Sequence, residues 1–156
     1  MEKVIRTLSE LEEEVALFID SLMPSGQRLP AGRQATLITL SGELGAGKTA
    51  FTKAVAKAFG IKETVNSPTF VLEKIYLLPH ELGGENPKFV RLIHIDAYRL
   101  EKGIDLAPLG FDELMQDAGN LILLEWPEKV SNALPAPAVH ISLVANPDGT
   151  RTISYG

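Results

Sequence analysis

The chain has no cysteine. Disulfides, thiolate metal sites and thiol nucleophiles are therefore excluded, which suits a reducing compartment. It also lacks any uninterrupted apolar run near the ~18 residues that would announce a membrane-spanning helix. The opening stretch, MEKVIRTLSELEEEVALF, is acidic and amphipathic, without the basic-then-apolar order of a signal peptide. A cytoplasmic location is the resulting expectation. Basic charge is short as well: the formal net charge is −5, so the chain as a whole lacks the positive surface that nucleic-acid binding requires. Aromatics make up 6% of residues, and there is one tryptophan.

What is present suits a single domain, residues 1–156, with enough apolar content, at 45%, to fill one core. Ser9 and Glu12 form a capping-box pattern. Leu11, Val15, Phe18, Ile19 and Leu22 follow at helical spacing, with Pro24 as a stop. PSGQRLPAGRQ then reads as a loop and ATLITLSG as a buried strand. From Lys48 the spacing of Phe51, Val55, Ala58 and Phe59 is helical, and Gly60 sits where a C-terminal cap belongs. FVLEKIYLL (70–78), KFVRLIHID (88–96) and NLILLEW (120–126) read as strands, and GFDELMQDA as a short helix. AVHISLV and TRTISY flank NPDG, a hairpin signal. The predicted fold is α/β, with a mostly parallel central sheet, flanking helices and a C-terminal antiparallel hairpin.

The most informative stretch is Gly42-Glu43-Leu44-Gly45-Ala46-Gly47-Lys48-Thr49, followed by Ala50. It fits G-x-x-x-x-G-K-[ST] completely, with a strand before it and a helix after. A chance match is expected in roughly half a percent of chains this long, so a nucleoside triphosphate is the expected ligand. Glycines let successive backbone N–H groups turn inward as an anion nest, and the helix start adds its positive end. Lys48 would reach the β- and γ-phosphates, and Thr49 would serve Mg²⁺. Guanine recognition would call for N-K-x-D, yet no asparagine here (66, 86, 120, 132, 146) precedes a lysine. ATP is the default.

Two apolar strands end in a carboxylate, RLIHID at Asp96 and LILLEW at Glu125. If both run parallel to the strand feeding the glycine loop, their ends open on the phosphate edge, and one should serve Mg²⁺ or its water. His94 shares a face with Asp96 by alternation; it is either packing or a catalyst. Ser67-Pro68-Thr69 precedes the next strand and reads either as a γ-phosphate sensor or as an ordinary hydroxyl-rich turn. Trp126 is either core or a stacking surface. Tyr98 and Arg99 are surface residues or contacts to phosphate or a partner. Phosphoryl transfer to a metabolite would need a lid with arginines, and Arg99 is the sole arginine between residues 92 and 150. A nucleotide-dependent binding module with negligible hydrolysis is the other alternative.

In order, GELGAGKT, SPTF, HIDAYRL, GFDELM and LLEWPEKV, then LP before a hairpin, resemble the TsaE (YjeE) family from about Leu37 to the C-terminus. The resemblance implies a small P-loop ATPase of tRNA threonylcarbamoyladenosine (t6A) biosynthesis at tRNA position 37. Such a protein would act on a TsaB–TsaD complex and reset it between turnovers, without transferring the group itself. ATP and Mg²⁺ are the implied cofactors, with tRNA contacted through partners. The implied catalytic residues are Lys48, Asp96 and Glu125, with Thr49 and Glu125 at Mg²⁺. Nucleotide contacts would run from Glu43 through Leu44, Gly45, Ala46, Gly47, Lys48 and Thr49 to Ala50, with Trp126 alongside and Arg151 as an additional contact. Ser67 and Thr69 become the switch, and Tyr98 and Arg99 partner or phosphate contacts. The family's adenine-side threonine would fall near Glu14.

Overall fold

The computed structural model describes residues 1–22, 34–62, 72–78 and 89–156. A seven-stranded sheet carries β1 (Glu2–Ile5), β2 (Thr36–Ser41), β3 (Glu73–Leu77), β4 (Arg91–Asp96), β5 (Asn120–Glu125), β6 (Val139–Ala145) and β7 (Arg151–Tyr155), in the spatial order β1-β7-β6-β2-β5-β4-β3. The four central strands, β6-β2-β5-β4, are mutually parallel. Antiparallel partners close both flanks, β3 beside β4 and the β6–β7–β1 meander opposite. Parallel strands covered on both faces read as continuous apolar runs, and every residue of β5 is buried.

Helices α1 (Leu8–Leu22) and α2 (Lys48–Ala58) cover one face, where Val15, Phe18, Phe51 and Val55 meet Ile38, Leu40, Leu92 and Leu123. On the other, a 3₁₀ segment (Gly103–Leu109) and the short helix α3 (Phe111–Met115) bring Leu106, Phe111 and Met115 onto Leu37, Ile93, Ile95, Ile122 and Leu124. Alternation along each strand thus divides its side chains between two cores. The apolar stripe expected on α1 is the buried one: Leu11, Val15, Phe18 and Ile19 are buried and Leu22 packs beside them. The second helix ends as its glycine suggests. The Gly60 N–H donates to Lys57 O and the Ile61 N–H to Ala56 O, each at 3.0 Å.

Several local expectations are corrected. The cap of α1 is Thr7, not Ser9: Thr7 Oγ1 accepts the Glu10 N–H at 3.1 Å, and Glu10 Oε2 accepts the Arg6 N–H at 2.7 Å. TLSE and SELE both fit the pattern, but β1 ends at Ile5, so the chain reaches Thr7 as its first usable cap. β1 itself was not anticipated; four residues of EKVI, with Val4 half exposed, carry too little alternation to announce a strand. Ala58 is exposed, and Ala54 and Ala56 fill the helix face instead. β5 stops at Glu125 because Trp126 turns into the left-handed region at φ 59°. The NPDG turn forms as expected, with the Gly149 N–H donating to Asn146 O at 3.1 Å and Gly149 left-handed. Pro24, Ser67, Thr69 and the connection at 79–88 lie outside the described residues.

Candidate nucleotide and metal site

β2, β5 and β4 run parallel, so their carboxyl ends share one edge, and the register sets what meets there. Leu40 lies beside Glu125 and Asp96 beside Glu125. The glycine loop leaves β2 at this edge and feeds α2. Between them the loop and strand ends enclose a cavity of about 310 Å³ lined by Leu44, Gly45, Gly47, Lys48, Thr49, Asp96, Tyr98, Glu125 and Trp126. Residues as far apart in sequence as Leu44 and Trp126 converge here because the parallel register brings the strand ends level.

Two glycines in the loop are required by geometry. A Cβ on Gly42 would sit 2.6 Å from the Leu143 carbonyl oxygen, a backbone atom that cannot swing away. Gly47, the residue before α2, has φ 109°, which an L side chain tolerates poorly. Lys48 is buried, and its Nζ donates to the carbonyls of Gly42 and Glu43, the latter at 3.0 Å. The same ammonium lies 4.5 Å from the Trp126 ring centroid, within cation–π range. Glu43 and Leu44 are exposed on the loop; Ala46 is buried in the core below it.

Asp96 is buried, and its Oδ1 accepts the Tyr98 N–H at 3.0 Å. Glu125 is buried too, with Oε2 2.8 Å from His94 Nε2. Among the described residues its Oε1 has no hydrogen-bond partner. His94 and Glu125 lie diagonally across β4 and β5, since His94 pairs with Leu123 and Asp96 with Glu125. Trp126 is half-buried, its N–H bonded to Leu40 O at 3.1 Å and its ring 5.1 Å from that of Tyr98. It is a wall of the cavity as well as a neighbour of the core. Its backbone leaves the strand conformation at φ 59°.

A second cavity, about 220 Å³, lies on the other side of the loop, lined by Gly47, Ala50, Arg151, Thr7, Leu8 and Leu11 among others. Arg151 Nε comes within 3.9 Å of where a Gly47 Cβ would be. Ala50 and Arg151 thus belong to this side of the loop and the carboxylates to the other. Glu14 is elsewhere. It accepts from Lys3 Nζ at 2.7 Å and from the Tyr155 hydroxyl at 3.0 Å, at a third cavity toward β1 and β7. The threonine beside the loop is Thr7. Arg99 is exposed and outside the lining of the carboxylate cavity, whereas Tyr98 is part of it. Sequence reasoning weighed His94 without placing it in the site; its signal was the alternation H-x-D.

The donors suit Mg²⁺. Two carboxylates and a hydroxyl are hard oxygen ligands at one cavity, and no group of three or more His, Asp or Glu among the described residues could cage a metal unaided.

The comparisons with known proteins identify the family. The family model described as "Threonylcarbamoyl adenosine biosynthesis protein TsaE" matches residues 13–153, further toward the N-terminus than the motifs alone extend. The tRNA threonylcarbamoyladenosine biosynthesis protein TsaE of Rickettsia prowazekii is 34% identical over 140 residues, 89% of this chain and 83% of the relative. That of Treponema pallidum is 36% identical over 121 residues, 78% and 82% of the two chains. The crystal structure of YdiB from Bacillus subtilis superposes with a TM-score of 0.70 at 26% identity, covering 99% of this chain and 83% of that one. The chain belongs to the TsaE family of tRNA threonylcarbamoyladenosine biosynthesis proteins.

Proposed function

We propose that this protein is a cytoplasmic, Mg²⁺-dependent P-loop ATPase that serves t6A formation by acting on a TsaB–TsaD complex, resetting it between turnovers. The observation that carries the reading is the convergence of Lys48, Thr49, Asp96 and Glu125 on one cavity at the mouth of the glycine loop.

The loop amides and the N-terminal end of α2 hold the phosphates, with Lys48 leaving its carbonyl partners to pair the β- and γ-oxygens. Thr49 and Glu125 would hold Mg²⁺, which would supply positive charge to the phosphates. Asp96 either stands behind the metal or orients the attacking water. Trp126 shields this side of the nucleotide, and its position over the Lys48 ammonium keeps that cation oriented. The base and ribose lie toward the cavity of Ala50, Arg151 and Thr7. Ser67 and Thr69 report the γ-phosphate, and Tyr98 and Arg99 face the partner. With a net charge of −5, tRNA is reached through that partner.

Steady-state ATP hydrolysis, measured alone and with TsaB–TsaD, tests the proposal, with Glu125→Ala as control. Slow turnover that rises with the partners and falls in the variant is expected. Binding without hydrolysis in both conditions would leave a binding module, and phosphate release only on adding a metabolite would indicate a kinase.

A further inference from the structure

We propose that His94 is a positioning residue for Glu125: it holds Oε2 so that Oε1 is presented to the metal. This deepens the Mg²⁺ reading above and rests on it.

Three observations converge. His94 is fully buried and directs Nε2 to Glu125 Oε2 at 2.8 Å, both side chains being shielded from solvent. Its other nitrogen, Nδ1, is buried without a hydrogen-bond partner among the described residues. And the carboxylate it touches is one that lines the phosphate cavity, one strand away from Asp96.

A carboxylate accepts, so the contact requires a proton on Nε2. For packing alone a histidine is a poor choice. A leucine at position 94 would fill the α1/α2 core, where Leu92 and Leu123 already lie, without stranding a polar nitrogen. What the imidazole adds is one N–H at a fixed height above the sheet. Position 94 shares a face with position 125 but sits two residues back from its register partner, so the N–H approaches the carboxylate from below, on the side away from the cavity. One oxygen is thereby engaged and the other remains for the cavity. Glutamate has three rotatable side-chain bonds, and a single donor behind it removes orientations in which both oxygens turn inward. A partner outside the ligand set that orients a ligand in this way commonly changes metal affinity 10–100-fold.

The test compares His94→Leu, which removes the donor, with His94→Gln, which keeps an N–H at similar reach. Calorimetry measures ATP affinity with Mg²⁺ and with a chelator. In His94→Leu the gain in affinity on adding Mg²⁺ should shrink toward none, and the Mg²⁺ concentration for half-maximal turnover should rise about 10-fold or more. Affinity for ATP without metal should stay within about twofold, and His94→Gln should recover most of the metal effect. Equal weakening with and without metal, or an unchanged metal effect, would overturn the proposal. If the natural chain itself shows no Mg²⁺ effect, the metal reading fails first, which is a different result from a natural effect that survives His94→Leu. Should His94→Leu not fold, ¹⁵N spectra of the natural chain decide: a proton on Nε2 agrees with the proposal, and a bare Nε2 refutes it.

Discussion

Glu14 and Glu125 are both buried glutamates on the same side of the sheet, and their surroundings could hardly differ more. Glu14, on α1, is matched by a lysine and a phenol, so both its oxygens are engaged at 2.7 and 3.0 Å. Glu125, at the end of β5, has one oxygen on a histidine and the other toward a cavity. The first carboxylate closes a structural junction between α1, β1 and β7. Among the described residues the second keeps one oxygen without a hydrogen-bond partner. Burial alone does not distinguish a structural acid from a chemical one; the unspent oxygen does.

The largest expected effect breaks the chemical side of this comparison. Lys48→Ala should abolish ATP turnover, and Glu125→Ala should lower kcat by about 10²-fold or more, while far-ultraviolet circular dichroism stays native. An unchanged rate in Lys48→Ala would refute the phosphate site. Next in size, Gly42→Ala forces a methyl onto the Leu143 carbonyl at 2.6 Å. Loss of roughly 1–3 kcal/mol in urea unfolding and weakened nucleotide binding are expected together. Glu14→Ala should do the reverse of Glu125→Ala, removing about 1–2 kcal/mol of stability while hydrolysis stays within twofold. Lys3 is 42% exposed and turns to water, so the loss is mainly the Tyr155 partner.

The pH dependence sharpens the same contrast. Tyr155 is pushed above the ordinary phenol value of 10.0, first by burial and then by donation to the Glu14 carboxylate and its negative charge. A phenol whose folded value is raised stabilises fully while both states are protonated. That contribution fades as pH climbs past 10.0, because only the unfolded chain readily ionises. Chemical denaturation between pH 9 and 11 should therefore show a falling stability that Tyr155→Phe flattens. The smallest signal comes from Trp126, the only tryptophan. Its ring lies beside Lys48, so ATP binding should shift its fluorescence and Lys48→Ala should suppress that shift.

The α1 stripe, the glycine loop and the two strand-end acids were legible because each is a local pattern: a 3.6-residue period, a fixed spacing, an apolar run closed by a charge. Thr7 and Ser9 show where such patterns stop. Two overlapping capping boxes fit equally, and the end of β1, paired with β7 some 150 residues later, chose between them. Glu14 shows the same limit: its place along α1 was readable, but the side of the molecule it faced was not.

By itself, then, the amino-acid sequence determined that a glycine-rich loop stands between a strand and a helix and that Asp96 and Glu125 end buried strands. Neighbours along the chain set those features. Tertiary structure alone decided that Asp96 and Glu125 lie level, that His94 reaches Glu125 on the diagonal, and that Arg151 returns to the loop beside Gly47. A shift of one residue in the β4–β5 register would send His94 and Glu125 to opposite faces, and no single strand records its partner's register.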